Sequence, residues 1–303
     1  MATALRKLTP GRKRDLRLAA ALAAPALIIM LIVAAYPIIR SFWISITTYN
    51  LKEPAGAGEF VGIDNYLANL TDPAFWHSLW VTVVFVAMAV TFEVSLALAL
   101  ALFLNRPFRG QGWMRILVLL PWAIPPVVVG VMWKWILNPS YGALNGLLTQ
   151  FGLIDSYIIW LGEPFRALLI VALVDTWKET AFIMLMILAA LQSVPKDLYE
   201  AARVDGASAW RILWGITIPL IRPTLFVVIS LRTIWALKSF DLIYTITSGG
   251  PSEGTTVLGY YTYIESFVRL RLDRGSSAAF IMAAIVMVIV LLYQRALYRE
   301  VGQ

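Results

Sequence analysis

Six long apolar runs set what this chain can become, at about 18–43, 79–104, 113–137, 167–191, 219–245 and 277–297. Each exceeds the roughly 20 residues that an α-helix needs to cross about 30 Å of hydrocarbon. In that medium every backbone polar group must find a partner inside the protein, which leaves helices or closed barrels. Barrel strands alternate apolar and polar residues in short segments; these runs are long and continuous. The expected fold is therefore all-α, a polytopic membrane protein with six transmembrane helices. The whole-chain composition agrees, because 60% hydrophobic residues is more than a soluble core calls for. The segments between the runs are too short to fold alone. That leaves a tail at 1–17 and one transmembrane domain at 18–303. Pro121, Pro125 and Pro126 fall inside the third run, where neighbouring helices can satisfy the freed backbone groups.

Charge gives the expected orientation. Arg6, Lys7, Arg12, Lys13, Arg14 and Arg17 all precede the first run, as expected of a cytoplasmic end. The apolar stretch that follows is about twice a signal-peptide core and reads as an uncleaved anchor. With six spans both termini are then cytoplasmic, and 192–218 is a cytoplasmic segment. Arg269, Arg271 and Arg274 dissent, because they stand in a loop that this scheme places outside. The net charge of +7 needs no nucleic acid to explain it. The chain has no cysteine and a single histidine, His77. Those counts exclude a disulfide framework, a thiol nucleophile and a cysteine or histidine metal cluster. His77 begins a span and reads as an interfacial polar group.

Two polar features interrupt this greasy background. The first is "EAARVDGASAW", Glu200 to Trp210. From Pro195 onward it reads as a short amphipathic helix. Lys196 and Asp197 make a polar start, and Leu198, Ala201 and Ala202 an apolar stripe. Gly206 interrupts it, at about 1 kcal/mol against alanine. Such a helix can lie on the bilayer surface or dock a protein. The second feature is charge inside spans, which is costly and usually faces a bundle interior or an aqueous cavity. Asp175, Lys178, Glu179 and Phe182 follow i, i+3, i+4, i+7 spacing and share one helix face. Arg232, Trp235 and Ser239 are spaced similarly, with Lys238 and Asp241 beside them. Hydrogen-bonding groups beside flat aromatic rings suit sugars, whose hydroxyls need partners and whose C–H faces stack. The same charges could instead pair with one another and fix helix packing. Glu93, alone in the second run, reads as a packing partner. An intramembrane enzyme using Asp175 and Glu179 lacks a nucleophile or metal set. A secondary transporter commonly shows an internal repeat across two halves, and none is found.

Glu200-Ala201-Ala202, three residues, Gly206, nine residues, Ile216 and the closing Pro219 resemble the EAA loop of ATP-binding-cassette importer permeases. "LPWAIPP", "NPSYGALN", "SVPKDLYEAARVDGAS" and "DLIYTITSGGP" narrow the resemblance to the sugar-type branch, the maltose and glycerol-phosphate permeases. Ile218 stands where leucine is common. The resemblance implies an importer type I permease fold with a coupling helix at about 195–212. Glu200, Ala201, Ala202, Asp205 and Gly206 would dock an ATPase subunit. Substrate positions carry over to Trp122, Pro126, Asp175, Lys178, Glu179, Phe182, Trp235, Ala236 and Ser239. Charges at several of these depart from the maltose pattern and favour a charged or more polar sugar derivative. The implied partners are a second homologous permease, two ATPase subunits and an extracytoplasmic sugar-binding protein, in a bacterial inner membrane. No G-x-x-x-x-G-K-[ST] phosphate loop occurs here. ATP and Mg would therefore bind the partner ATPase, with no cofactor on this chain and alternating access driven from outside it.

Overall fold

The computed structural model describes residues 10–53 and 57–301. Arg6 and Lys7 of the expected cytoplasmic tail lie outside the described residues. Among the described residues the fold is all-helical, with only two isolated bridges, Thr47 to Phe60 and Asn50 to Arg271. A first helix, α1 (Pro10–Met30), passes through a π-turn (Leu31–Ala35) into α2 (Tyr36–Ser45). Short α3 (Asp64–Leu70) precedes long α4 (Pro73–Leu104). A bent pair follows, α5 (Gln111–Ala123) and α6 (Pro126–Ile136), and then α7 (Ala143–Gln150) and α8 (Pro164–Ser193). The chain next makes α9 (Lys196–Val204), α10 (Ala209–Ile212) and, through a second π-turn, α11 (Ile218–Leu237). It finishes with α12 (Asp241–Ile246), α13 (Leu258–Tyr263), a third π-turn and α14 (Leu272–Val301).

The two longest central helices start by the same device. Asp72 caps α4 by accepting from the Ala74 N–H at 2.9 Å, with Pro73 at the first helical position. Glu163 caps α8 by accepting from the Phe165 and Arg166 N–H groups, with Pro164 next. A carboxylate there meets the positive end of the helix dipole, and proline gives up only an N–H that would be unpaired anyway. The two helices run parallel. Val81, Phe85 and Ala89 of α4 share a buried cluster with Leu168, Val171 and Ala172 of α8. Farther along, Ala97, Ala101 and Leu104 meet Ile183, Ile187 and Leu191. Alanines on α4 let the two backbones approach closely, as packing in lipid favours.

Among the described residues four stretches are long and apolar enough to cross a membrane: Ala21–Ser45, Pro73–Leu104, Ala209–Leu237 and Leu272–Ala296. The third sequence run is one span only if the pair α5–α6, bent by 96°, counts as one. A residue before proline is pushed out of the α region, and Ile124 and Pro125 are both extended. The kink expected from Pro121, Pro125 and Pro126 is thus a corner. Helix α8 has 30 residues, about 45 Å at 1.5 Å per residue. Its charged middle keeps it out of the four. The fifth run also differs from its expected bounds. Its helix ends at Leu237, and α12 turns away to pack on α6, where a methyl on Gly130 would overlap Thr245.

A polar knot closes the end of the bundle where α4 and α8 begin. Arg274 donates to Asp72 at 2.9 Å and to the Asn69 side chain, while Asn69 donates to Ser277 at 2.8 Å. Tyr261 donates to Asn69 and Asp72. Burial, and then the nearby Glu265 and Asp72 carboxylates, push its hydroxyl up to about 12, so it stays a donor. Fully buried Glu265 pairs with Arg269 at 2.5 Å and Arg271 at 2.6 Å. All three dissenting arginines of the last loop are therefore held against carboxylates. His77 meets the Glu253 carbonyl at 3.2 Å in the loop of "GGPSEGTT".

Candidate functional site

Two long helices and a corner make the central cavity. Midway along α8 sit Asp175, Lys178 and Glu179; α11 contributes Arg232 and Trp235. The turn that ends α11 adds Lys238, Ser239 and Phe240, and Pro126 enters from the first position of α6. These groups line a cavity of about 190 Å³, closed further by Asp241 and Leu242 of α12. Of the positions marked in the sequence, Pro126, Asp175, Lys178, Glu179, Trp235 and Ser239 come together here. Trp122 and Phe182 stand beside the cavity in an aromatic run. Trp122 lies nearly parallel to Phe182 with ring centres 6.0 Å apart, and Phe182 tilts against Trp235 at 5.2 Å. Ala236 differs, because it is buried among the helices rather than lining the cavity.

Arg232 organises the charges. It is 2% exposed, and it donates through Nε to Glu93 of α4 and through Nη2 to Asp175 of α8. One guanidinium thus ties three helices. Its planar fork with donors on two edges makes that possible, where a lysine would offer one point charge. Glu93 is the packing partner that its isolation in an apolar run suggested. Lys178 pairs instead with its chain neighbour Glu179 at 2.5 Å. Asp175, Lys178 and Glu179 do share a face, as their spacing requires, but they do not pair as Asp175 with Lys178. Two of the cavity carboxylates are paired: Asp175 is held by Arg232 and Glu179 by Lys178. Among the described residues no group of three or more His, Cys, Asp or Glu side chains is placed to hold a metal.

The sequence reading missed the bend that places Phe240. "WALKSFDLIYTI" contains neither proline nor glycine, so no local signal marks the end of α11. Beyond Phe240 lie more aromatic rings. Tyr244 of α12 and Tyr263 of α13 both have ring centres within 5.4 Å of it.

At the opposite end of the bundle, the segment that holds "EAARVDGASAW" forms a corner. Helix α9 ends in a Schellman turn: the Ala207 N–H bonds the Ala202 carbonyl, the Gly206 N–H that of Arg203, and Gly206 takes φ +75°. That left-handed conformation suits glycine and strains other residues. Ser208 then caps α10 by accepting from the Arg211 N–H. Ala202 is buried, while Glu200, Ala201, Asp205 and Gly206 are exposed with Leu198 and Val204. Tyr199 holds the helix to the bundle, packing on the core cluster and accepting from Thr217 at 3.4 Å. Asp197 in the first turn and Arg203 in the last complement the helix dipole. The expected segment at about 195–212 is thus two helices with a fixed bend, and most of its outer surface is free.

Residues 93–301 match the family described as binding-protein-dependent transport system inner membrane component. The chain is similar to the sulfoquinovosyl glycerol transport system permease protein SmoG of Agrobacterium fabrum. The two are 39% identical over 281 residues, covering 93% of this chain and 90% of that one. It is 40% identical over 253 residues to the trehalose/maltose transport system permease protein MalF of Thermococcus litoralis, covering 82% and 83%. A chain in the crystal structure of a bacterial alginate ABC transporter, in complex with alginate pentasaccharide-bound periplasmic protein, superimposes with a TM-score of 0.80. It is 28% identical and covers 95% of this chain and 96% of that one.

Proposed function

This chain belongs to the family of binding-protein-dependent transport system inner membrane components, and from that premise we propose how it works in a sugar importer. It is a membrane permease subunit and a transport protein rather than an enzyme, like its relatives. In our reading it crosses the membrane six times, through α1–α2, α4, the bent pair α5–α6, α8, α11 and α14. The parallel course of α4 and α8 supports this count, because the chain must return once between them. The N-terminal basic cluster puts both termini and α9 on the cytoplasmic side.

The cavity is one half of the translocation pathway, and a second, homologous permease supplies the other half. The carrying observation is that Asp175, Lys178, Glu179, Trp235 and Ser239 converge on one cavity beside the Trp122–Phe182–Trp235 rings. Charged hydrogen-bonding groups next to aromatic faces suit a polar sugar derivative. Lys178 and Lys238 at the cavity keep glycerol phosphate as the second reading. The exposed α9 corner is the seat of one of two ATPase subunits, with Glu200, Ala201, Ala202, Asp205 and Gly206 at the contact. ATP and Mg bind those subunits, and this chain carries no cofactor. An extracytoplasmic binding protein delivers the sugar. ATP-driven closure, felt through α9, rocks the helices between inward- and outward-facing states, a rigid-body transition of two packed arrangements.

The test is uptake by the assembled complex in proteoliposomes, with its ATPase, second permease and binding protein. The probes are trehalose, maltose, sulfoquinovosyl glycerol, an alginate pentasaccharide and glycerol 3-phosphate. We expect ATP-dependent uptake of at least one carbohydrate, abolished by a catalytically dead ATPase. Uptake that survives the dead ATPase and collapses with a proton uncoupler would make the chain a secondary transporter.

A further inference from the structure

We propose that Phe240, Tyr244, Tyr263 and Phe267 form a second, stacking subsite for sugar rings. It would lead from the charged cavity toward the end of the bundle that bears the polar knot. This inference rests on the carbohydrate reading above. Phe240 lines the cavity. Its ring centre lies 5.4 Å from Tyr244 and 5.2 Å from Tyr263, and the Tyr244 and Tyr263 rings are 5.4 Å apart. Tyr263 continues to Phe267 at 5.5 Å. The Phe267 ring sits in the π-turn Ile264–Val268, next to the loop that bridges Asn50 to Arg271. Phe240, Tyr244 and Tyr263 thus touch one another at the cavity, and Phe267 extends the group from Tyr263 toward the bundle end. They come from the turn after α11, from α12, from α13 and from the π-turn that follows it.

Packing alone does not account for this group. Aromatic rings recruited to fill a core are largely buried. Tyr260, which stacks on both Phe240 and Tyr263 from behind, behaves that way at 8% exposed. Two of the four rings in front of it do not: Tyr244 is 43% exposed and Phe267 66%, while Phe240 and Tyr263 are half-buried against the core cluster. The exposed Tyr244 and Phe267 rings offer C–H faces contacts at either end of the group, with half-buried Phe240 and Tyr263 joining them. The two tyrosine hydroxyls add groups that can pair with sugar hydroxyls. A ring-shaped substrate could then move from face to face without leaving contact. An acyclic polyol has no ring face to offer and would gain little.

The experiment compares leucine with aromatic replacements in the assembled complex. Tyr244→Leu and Phe267→Leu remove ring faces at exposed positions; Tyr244→Phe and Phe267→Tyr keep them. The probe is whichever carbohydrate of the panel above the wild type takes up best. Aromatic stacking of ordinary strength corresponds to about a two- to twelvefold change. We expect each leucine variant to raise the half-saturating sugar concentration by that factor, with the aromatic variants near wild type. Complex recovery and basal ATPase activity should stay unchanged. Leucine variants that transport like wild type would overturn the subsite, and so would leucine variants that lose the complex, because the rings would then be structural. If the wild type takes up glycerol 3-phosphate and no carbohydrate, the subsite falls and the permease assignment stands. If it takes up none of the probes, the carbohydrate reading falls as well.

Discussion

Arginines at two places in this protein do opposite things with the same chemistry. In the last loop, Arg269 and Arg271 converge on Glu265 and Arg274 on Asp72, with the guanidinium groups partly in solvent. In the bundle, Arg232 is almost wholly buried, and two carboxylates from two other helices converge on it. At the end of the bundle the cations outnumber the acid and can be spared. In the middle the single cation cannot be replaced, because its loss strands two buried charges. Position and partner count, rather than residue type, therefore decide what each arginine contributes. The comparison also removes the conflict in charge asymmetry. A paired arginine carries much less field than a free one, so three of them can lie on the extracytoplasmic side of our proposed topology.

Loss of Arg232 should have the largest effect. Removing one partner of a buried ion pair costs about 3–5 kcal/mol, and here Glu93 and Asp175 would both be left unpaired. Arg232→Ala should sharply reduce recovery of the assembled complex and its thermal stability in detergent. The neutral triple variant Glu93→Gln, Asp175→Asn, Arg232→Gln should recover most of that loss, since no charge is stranded. An Arg232→Ala complex as abundant and stable as wild type would mean that the triad does not tie the helices.

Gly206→Trp comes next. A Cβ on Gly206, at φ +75°, meets no neighbouring atom within 4 Å, so the strain starts in the backbone, at roughly 1–2 kcal/mol for a left-handed L-residue. The corner between α9 and α10 should shift, and ATP-driven uptake should fall steeply while the spans remain inserted. Gly206→Asn, which visits that region more readily, should lose less. Full uptake with stoichiometric ATPase in the tryptophan variant would remove the docking role from this corner.

What the sequence disclosed follows the range over which its signals act. Among the described residues four of the six apolar runs appear as helices long and apolar enough to span, and the Gly206 interruption appears as the glycine turn of the α9 corner. Helical periodicity put Asp175, Lys178 and Glu179 on one face, as the structure has them. Periodicity cannot say which charges meet across helices, since that depends on crossing geometry. It therefore left open whether Asp175 faced Lys178, and gave Glu93 no named partner. The ends of the third and fifth runs were obscured for different reasons. Proline announced a break at Ile124–Pro125 but not its 96° angle. The bend after Leu237 has no local marker, so Phe240 and the rings beyond it went unseen.

The cavity charges give a smaller expected effect. Lys178 pairs with its own chain neighbour, so Lys178→Ala breaks no bond between helices and should leave the complex intact. A lost charged hydrogen bond is worth about 1.5–3 kcal/mol, or roughly ten- to hundredfold in uptake affinity if Lys178 touches substrate. Trp235→Ala should likewise weaken uptake without dismantling the complex. The double variant Lys178→Ala, Glu179→Gln separates the alternatives. Normal uptake in it would leave the pair structural, and loss of uptake with intact assembly would place it in the sugar path.

Arg269 should give the smallest effect. Its side chain is 43% exposed, and Glu265 keeps Arg271 when Arg269 is removed. Arg269→Ala should therefore cost no more than about 0.2–1 kcal/mol, the range of an exposed ion pair. That is a small shift in thermal midpoint with uptake and complex recovery unchanged. Reporter fusions after Gly250 should still read extracytoplasmic, because the remaining charges stay paired. Removing Arg271 as well changes the regime. Glu265 is wholly buried, and with neither arginine it becomes a stranded carboxylate of the kind that Arg232→Ala creates. The double variant should thus lose several times the sum of the two single losses. If the two losses merely add, Glu265 has a solvent path or another partner, and the bundle end does not obey the rule inferred from the bundle centre.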